Sequence, residues 1–382
     1  MNKWKNKRLR RRQLLQRGAS LSALATGLGW RELSQATTPQ QSPPTPVIYP
    51  AVVPGRNLAF PADHGAHPDY RTEWWYFTGW LDTATEPVGV QLTFFRSRTR
   101  HSPDNPSRFA PQQLMFAHAA LATGSQKKLM HEQLAARADR PMYSLTDTRL
   151  QMPSATGQWS MVRAANDSYR AVASSPAFRF DLHLRPQYQP VLQGRLGYSL
   201  KGPQPRQASY YYSRPQLALN GSLQINGSAI VVAGGTGWLD HEWSSEILDP
   251  QAVGWDWIGL NLDNGDALMA FQIRRASGLA LHSHARWIRA GKPATTPAPV
   301  FTVQRRWRSP RTNTEYPVQF LVTVGQWQCL LQPLIDDQEM DSRRSTGTLY
   351  WEGAVQAIAP QSGQVIGRGY LELTGYAGKV RF

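Results

Sequence analysis

The densest group of chemically reactive side chains in the sequence is Asp240-His241-Glu242, which lies between Trp238 and Trp243. On a β-strand, Asp240 and Glu242 would share one face and His241 would point to the other. A carboxyl group in an apolar pocket loses its solvation, so its pKa rises and it becomes a proton donor. Neighbouring aromatic rings can stabilise a carbocation by cation–π attraction. The pattern predicts Asp240, His241 and Glu242 as catalytic residues for acid-assisted chemistry on an apolar molecule.

A second aromatic segment contains another candidate acid, Glu73, directly before Trp74-Trp75-Tyr76. We therefore add Glu73 to the predicted catalytic residues. The predicted ligand-binding residues share an aromatic ring that can pack against an apolar ligand. They are Trp74, Trp75, Tyr76, His118, Trp243, Trp255 and Trp257. Two other interpretations stay open: Asp240 and Glu242 are paired with Arg71 or another arginine, and the tryptophans belong to the core of the barrel.

The sequence gives weaker indications of a metal site or a catalytic nucleophile than of an acid. His282 and His284 have the spacing of two ligands on one face of a strand, and His241 could supply a third. An exposed polar strand face explains the histidine pair equally well, so we expect no metal and no other cofactor. Cys329, the single cysteine, lies in an apolar run and is interpreted as a buried residue. No Gly-x-Ser-x-Gly motif is present, which disfavours a serine hydrolase.

The elements that would position these residues are predicted to be β-strands. From about Ala59 apolar and polar residues alternate, as in 88–95 and 267–273, and Asp263-Asn264-Gly265-Asp266 predicts a hairpin turn. Segment 126–140 is the best helix candidate and is equally compatible with a pair of strands. The 30 glycines and 28 prolines, with only 18% charged residues, fit a turn-rich β protein. The sequence therefore predicts an all-β fold.

The N-terminus reads as a targeting segment. Residues 1–36 contain nine basic residues and one acid, with Arg11-Arg12 before a short uncharged stretch and small residues at 34 and 36. This pattern predicts a twin-arginine-type signal peptide and a periplasmic or secreted bacterial protein. Residues 37–58, rich in Pro and Gln, are predicted to be a linker.

Charge and hydropathy exclude several classes of protein. The leader accounts for half of the net charge of +16. No stretch of 18 apolar residues occurs, so we expect no integral membrane protein. No zinc finger, aromatic RNA-binding motif or basic helix supports nucleic-acid binding.

Three segments carry a resemblance to a known family: 67–79, 237–257 with its Trp238-Leu239-Asp240-His241-Glu242-Trp243 core, and 350–355 together with 369–376. Together they resemble the AttH/CrtC family of lipocalin-like proteins, which includes carotenoid 1,2-hydratases, kievitone hydratase and some fungal Diels–Alderases. The resemblance runs from about residue 58 to residue 382. It implies two lipocalin-like (calycin) antiparallel β-barrel domains packed side by side, at 59–244 and 245–382. It also implies an apolar ligand cavity, either within one barrel or between the two domains; the motifs, which are split between both halves, favour the interface.

The resemblance implies two kinds of function. The first is an exported module that binds a hydrophobic small molecule or lipid, in association with an ABC transport system. The alternative is a hydratase, cyclase or hydrolase that acts on a polyene or terpenoid-like substrate by general-acid catalysis. Carotenoid hydratases have a His-x-Trp element, matched by His241-Glu242-Trp243, and rely on a Tyr and an Asp on a later strand. That strand here offers Phe271 and Ile273, which counts against carotenoid hydration and favours the binding module.

Overall fold

The structure, a computed structural model, describes residues 46–107, 109–138 and 142–380. The predicted signal peptide and residues 37–45 of the predicted linker lie outside the described residues. Residues 46–58 contain no regular secondary structure. Within the described part of the chain, no helix has both the length and the apolar character needed to cross a membrane.

The chain folds almost entirely into antiparallel strands, as predicted, with one short 3₁₀ helix at Ala62–His64. The strands form two sheets that follow each other along the chain. The first sheet contains β1 Thr72–Thr83, β2 Val88–Arg98, β3 Gln113–Thr123, β4 Met130–Arg137, β5 Arg149–Ser154, β6 Gly157–Arg163, β7 Tyr169–Ser174, β8 Phe178–Arg185, β9 Val191–Leu192, β10 Tyr198–Leu200, β11 Ala208–Ile225 and β12 Ser228–Glu246. The second contains β13 Ala252–Leu262, β14 Ala267–Arg275, β15 Ala280–Arg289, β16 Lys292–Ala294, β17 Pro299–Arg308, β18 Glu315–Val324, β19 Trp327–Pro333, β20 Glu339–Ser342, β21 Thr348–Ile358 and β22 Val365–Leu373.

The two sheets repeat one arrangement. In the first sheet the order is β4-β3-β2-β1-β12-β11-β8-β7-β6-β5, and β9 and β10 pair with β11. In the second the order is β16-β15-β14-β13-β22-β21-β19-β18-β17, and β20 pairs with β21. In each sheet the first strand therefore lies between the second strand and the last. The edge strands β4 and β5 of the first sheet contact each other, so this sheet is a nearly closed barrel. The predicted fold class, two lipocalin-like antiparallel β-barrel domains, is confirmed. The last strand of the first sheet ends at Glu246 and the first strand of the second sheet begins at Ala252. The predicted domain boundaries stay a prediction.

Local sequence explains these elements. Val88, Val90, Leu92 and Phe94 all point into the core of the first barrel and are fully buried. The predicted turn at 263–266 joins β13 and β14, where Gly265 adopts a positive φ of 86° that suits glycine. At 126–140, where a helix and a pair of strands were equally compatible with the sequence, the described residues form no helix. They contain the single strand β4, Met130–Arg137, which pairs with β3.

Alternation along β1 and β12 gives these strands two different faces. Trp75, Phe77 and Leu239 pack inside the first barrel. Tyr76 and Trp238, one residue away from these, pack against residues of the second sheet. The central strands therefore separate the barrel interior from the space between the sheets. Successive side chains on these strands point alternately into one and then the other.

Candidate functional site

A cavity lies where the central strands of the two sheets face each other. It contains about 770 Å³ of space not filled by atoms, part of it open to solvent. Strands β1, β2, β11 and β12 of the first sheet line it together with β13, β14, β21 and β22 of the second. Its apolar and aromatic walls include Trp74, Tyr76, Phe95, Tyr211, Ile247, Leu248, Trp255, Trp257, Phe271 and Ile273.

Strand β12 places Asp240 and Glu242 on the cavity face and His241 on the opposite face. Asp240 is 3% exposed and accepts three hydrogen bonds. The Tyr211 hydroxyl donates at 2.7 Å, the Ser213 hydroxyl at 2.5 Å and the Trp238 indole N–H at 2.7 Å. Burial raises the pKa of Asp240 to about 7, although these three bonds act in the opposite direction. Asp240 is therefore an acid that titrates near neutral pH.

Glu242 is compensated by a buried lysine. Lys201 Nζ lies 2.9 Å from Glu242 Oε1, and Lys201 is 5% exposed. The ammonium also lies over the rings of Tyr211 and Phe271, at 4.6 and 4.5 Å from their centroids. Burial lowers the pKa of Lys201, although Glu242 opposes this change. Lys201 was not identified from the sequence.

Two further acids on the cavity wall, Glu352 and Glu372, face each other across β21 and β22. Burial and the like charge of Glu372 raise the pKa of Glu352 well above its usual range. Burial and the acids Glu242 and Asp240 also raise the pKa of Glu372, although its Oε2 accepts a hydrogen bond from the Trp255 indole at 3.0 Å. Neither Glu352 nor Glu372 forms an ion pair with a cation among the described residues. At neutral pH the pair therefore retains at least one proton.

The Tyr76 hydroxyl and the Glu352 carboxyl are buried close to each other on this wall. Neither the Tyr76 hydroxyl nor Glu352 Oε1 forms a hydrogen bond of good geometry with a described residue. Burial raises the pKa of Tyr76 well above its usual range, so this hydroxyl is a neutral donor. Unpartnered buried polar groups cost free energy. These two atoms therefore mark the part of the cavity wall best suited to meet a polar group of a ligand.

Glu73 lies in a different environment, on the barrel side of β1. Its carboxylate is fully buried and contacts Arg96 Nε at 2.8 Å, His241 Nε2 at 2.9 Å and His67 Nδ1 at 2.7 Å. Burial alone would raise the pKa of Glu73, but Arg96 and the two histidines hold it well below its usual range. His67 also contacts Asp63 at 2.9 Å. The charge of Glu73 is therefore fully compensated inside the first barrel.

Donor atoms of His67, Glu73 and His241 all lie within 4.8 Å of one another, close enough to be metal ligands. The Glu73 carboxylate is already paired with the Arg96 guanidinium. Burial lowers the pKa of His67, but Asp63 and Glu73 raise it by more, so the protonated form of His67 is favoured. A protonated imidazole does not ligate a metal. The cluster therefore does not favour a metal ion.

The metal set considered from the sequence is not assembled. His241 faces the interior of the first barrel, where burial lowers its pKa to about 4. His282 and His284 flank Phe271 in the second sheet, at 6.0 and 5.9 Å between ring centroids.

His118 lies in a second cavity that adjoins the first and contains about 960 Å³ of unfilled space, part of it open to solvent. Its Nδ1 lies 2.6 Å from the Tyr350 hydroxyl and its Nε2 lies 2.8 Å from the Ser345 hydroxyl. Burial lowers the pKa of His118 to about 3, so it is neutral. Trp74, Phe95, Trp255 and Glu372 line both cavities.

The structure brings part of the predicted site together at the first cavity: Asp240, Glu242, Trp74, Tyr76, Trp255 and Trp257. Four other predicted residues pack inside the first barrel around the Glu73 carboxylate: Glu73 itself, His241, Trp75, which stacks on His241, and Trp243, which stacks on His67. The roles assigned to all of them stay predictions. The sequence analysis missed Glu352, Glu372 and Lys201. A signal for the two glutamates exists, because each is a single acid within an apolar strand segment.

Comparisons with known proteins agree with this architecture. A solved AttH-type structure from Nitrosomonas europaea is 45% identical, with a TM-score of 0.78, over 86% of this chain and 99% of that chain. Kievitone hydratase from Nectria haematococca is 16% identical, with a TM-score of 0.63, over 88% and 98% of the two chains. CghA in complex with Sch210972 is 14% identical, with a TM-score of 0.54, over 81% and 90%. The last two support the fold alone.

A search among curated proteins found no match. A sequence profile of the AttH-like family matches residues 51–376, which include both sheets. Together with the 45% identity over almost the whole length of the solved AttH-type structure, this match shows that the chain belongs to the AttH-like family.

Proposed function

We propose that the protein binds an apolar small molecule in the cavity between the sheets and transfers a proton to it from the Glu352–Glu372 pair. The observation that carries the proposal is the position of these two carboxyls, opposite each other on the cavity wall without a cation on either. A site that only holds an apolar molecule gains nothing from such groups, because burying acids costs free energy.

The surroundings suit acid catalysis. A carboxyl whose pKa lies near or above the working pH stays protonated and can donate to a carbon–carbon double bond. The positive charge that develops on the ligand would lie among the faces of Trp74, Trp255, Trp257 and Phe271. Water or a group within the ligand would then complete hydration or cyclisation, and the carboxylate would recover a proton from the attacking group.

Hydration is also the reaction after which one protein of similar fold, kievitone hydratase, is named. The proposed substrate class is a polyene or terpenoid-like molecule. Kievitone hydratase shares only the fold with this chain. The proposal is therefore supported by the Glu352–Glu372 pair and not by the structural similarity.

A second candidate, a carrier of a hydrophobic molecule or lipid that serves an ABC transport system, is favoured by a specific observation. Both carboxylate oxygens of Asp240 are occupied by protein donors, so this acid is already satisfied without a ligand. For either function we propose export, because residues 1–36 have the pattern of a twin-arginine signal. Replacing Arg11 and Arg12 by lysine should retain the protein in the cytoplasm. Normal export of that variant would contradict the assignment.

The test begins with native mass spectrometry of the full chain and identification of any molecule that co-purifies. That molecule is then incubated with fresh protein in heavy water, and deuterium incorporation into its carbon skeleton is measured. We expect incorporation with the wild type and with the control Glu315→Gln, which changes a half-buried glutamate that does not line the cavity. Glu352→Gln and Glu372→Gln should bind the molecule but lose at least about tenfold in rate. Binding without incorporation in the wild type would support the carrier, and the absence of any apolar ligand would contradict both functions.

A further inference from the structure

The geometry points to Lys201 as a covalent attachment site, and we infer that its amine forms an imine with the carbonyl group of an apolar aldehyde or ketone held in the cavity. Lys201 lies directly on the cavity wall and is 5% exposed. The other described lysines, Lys127, Lys128, Lys292 and Lys379, are all exposed. Lys201 is therefore the amine that an apolar ligand in the cavity would meet.

The surroundings of Lys201 fit a nitrogen that alternates between neutral and cationic forms. Its Nζ donates to the Ser199 hydroxyl at 2.8 Å and lies 2.9 Å from Glu242 Oε1. It also lies over the rings of Tyr211 and Phe271, at 4.6 and 4.5 Å from their centroids. Burial lowers the pKa of this amine, which increases its neutral, nucleophilic fraction.

The chemistry balances without an oxidant or reductant. Glu242 accepts a proton from the ammonium, and the neutral amine attacks the carbonyl carbon of the ligand. The new C–N bond forms as the carbon–oxygen π bond breaks, and the proton that the attacking nitrogen loses moves to the oxygen to give a carbinolamine. Glu242 then donates its proton to the hydroxyl group, which leaves as water while the C=N bond forms. The products are a protonated imine and one water molecule.

The protonated imine would occupy the place that the ammonium occupies now. Its positive charge would lie beside the Glu242 carboxylate and over the two aromatic rings, so the fold already provides its counter-ion. The inference rests on the proposed function in one respect, which is that the cavity holds an apolar molecule. It adds the substrate class: an apolar compound, with conjugated double bonds or without, that ends in an aldehyde or ketone.

The test uses the full-length protein with retinal as a probe and retinol as its matched alcohol, which cannot form an imine. Quenching of tryptophan fluorescence reports binding of either probe, and borohydride reduction followed by peptide mapping locates the adduct. We expect both probes to bind and retinal to leave a single reduced adduct on Lys201. Lys201→Arg should bind retinol normally and give at least about tenfold less adduct, whereas the exposed control Lys379→Arg should behave as the wild type.

Glu242→Gln provides a second readout that does not depend on yield. Without the counter-ion the imine should lose its proton at lower pH, and the long-wavelength absorption of protonated retinal imine should weaken. Retinol binding without a retinal adduct on Lys201 would overturn the inference and leave the proposed function intact. Adducts spread over the exposed lysines would also overturn it. If neither probe nor any co-purified molecule binds, both the inference and the proposed function fail.

Discussion

Glu73 and Glu352 are both buried carboxyls on central strands, yet their surroundings are opposite. Glu73 is surrounded by Arg96, His67 and His241, and its pKa is held well below the usual range. Glu352 faces a second acid, Glu372, and its pKa is raised well above the usual range. The first cluster lies on the barrel side of β1, where Glu73 and Arg96 border the second cavity, whereas Glu352 and Glu372 line the first cavity.

The comparison distinguishes a buried acid that stabilises the fold from a buried acid that can transfer a proton. A buried acid that is paired and hydrogen-bonded contributes to one folded arrangement, and its removal leaves its partner without compensation. A buried acid without a cation contributes little to stability and keeps its proton for transfer. The same residue type therefore has different roles, according to which side of a strand it occupies.

The largest expected effect comes from breaking the compensated cluster. Glu73→Ala leaves the buried Arg96 guanidinium without its carboxylate and should lower the free energy of unfolding by about 3–5 kcal/mol. Chemical denaturation of the wild type and variant measures this difference. Asp69→Asn, which removes the partner of the more exposed Arg98, is the control and should cost less than about 1 kcal/mol. Equal, small losses in both variants would contradict the structural role of Glu73.

The next effect concerns pH, because the folded state keeps a proton on Asp240 that the unfolded chain releases. The pKa of Asp240 rises from 3.8 to about 7 on folding. Stability from this group is therefore present below the lower value and is lost as the pH rises to about 7. The loss is at most about 4 kcal/mol, at about 1.4 kcal/mol per pKa unit. Asp240→Asn should flatten this part of the stability profile, and a profile identical to that of the wild type would contradict the buried, protonated state.

Glu73 should act in the opposite direction, since its pKa is lowered on folding. Its contribution is present above the ordinary pKa of a glutamate and is lost as the pH falls through its value in the folded protein. The stability profile of Asp240→Asn should therefore still decline in acid, and adding Glu73→Gln to that variant should remove part of the decline.

A smaller change is expected from Glu352→Gln, which removes one of two like acids and keeps the side chain's shape. At neutral pH the folded wild type keeps a proton on Glu352 that the unfolded chain releases. The amide avoids this cost, so the free energy of unfolding should rise at neutral pH by about 1 kcal/mol. Thermal unfolding measured with and without bound ligand checks it. A loss of several kcal/mol would show that Glu352 is a structural acid like Glu73, and the contrast between the two clusters would fail.

The smallest effect tests one hydrogen bond in the acid pair. Trp255→Phe removes the indole N–H that donates to Glu372 Oε2 at 3.0 Å. This bond favours the ionised form, so the pKa of Glu372 should rise further, by less than about one unit. Infrared titration of the carboxyl band measures the shift, with Trp307→Phe as the control in a distant strand. A downward shift would contradict the assigned donor.

Local pattern made part of the site predictable. The opposite faces of Asp240 and His241 follow from the two-residue period of a strand, which needs no knowledge of its neighbours. The role of Glu73 did not follow, because Arg96 meets it only through the register of β1 with β2. Motifs near Glu352 carried the family resemblance, but its acid partner depends on the pairing of β21 with β22.

Lys201 was the least predictable residue of the site. It follows the short strand β10, where no alternation marks a buried face, and it reaches the cavity because β10 pairs with β11. The all-β class was predictable because alternation and turn residues recur along the chain. The arrangement of the cavity was not, since it depends on how one sheet packs on the other.

The packing of the sheets has a further consequence for the molecule as a whole. Trp80 of the first sheet donates to the Gly369 carbonyl of the second at 2.9 Å, and Asn261 of the second donates to the Gly237 carbonyl of the first at 3.0 Å. Each half thus supplies a hydrogen-bond donor to a buried backbone carbonyl of the other. We expect a gene cut between the two sheets to yield fragments that expose these carbonyls and are less soluble than the intact chain.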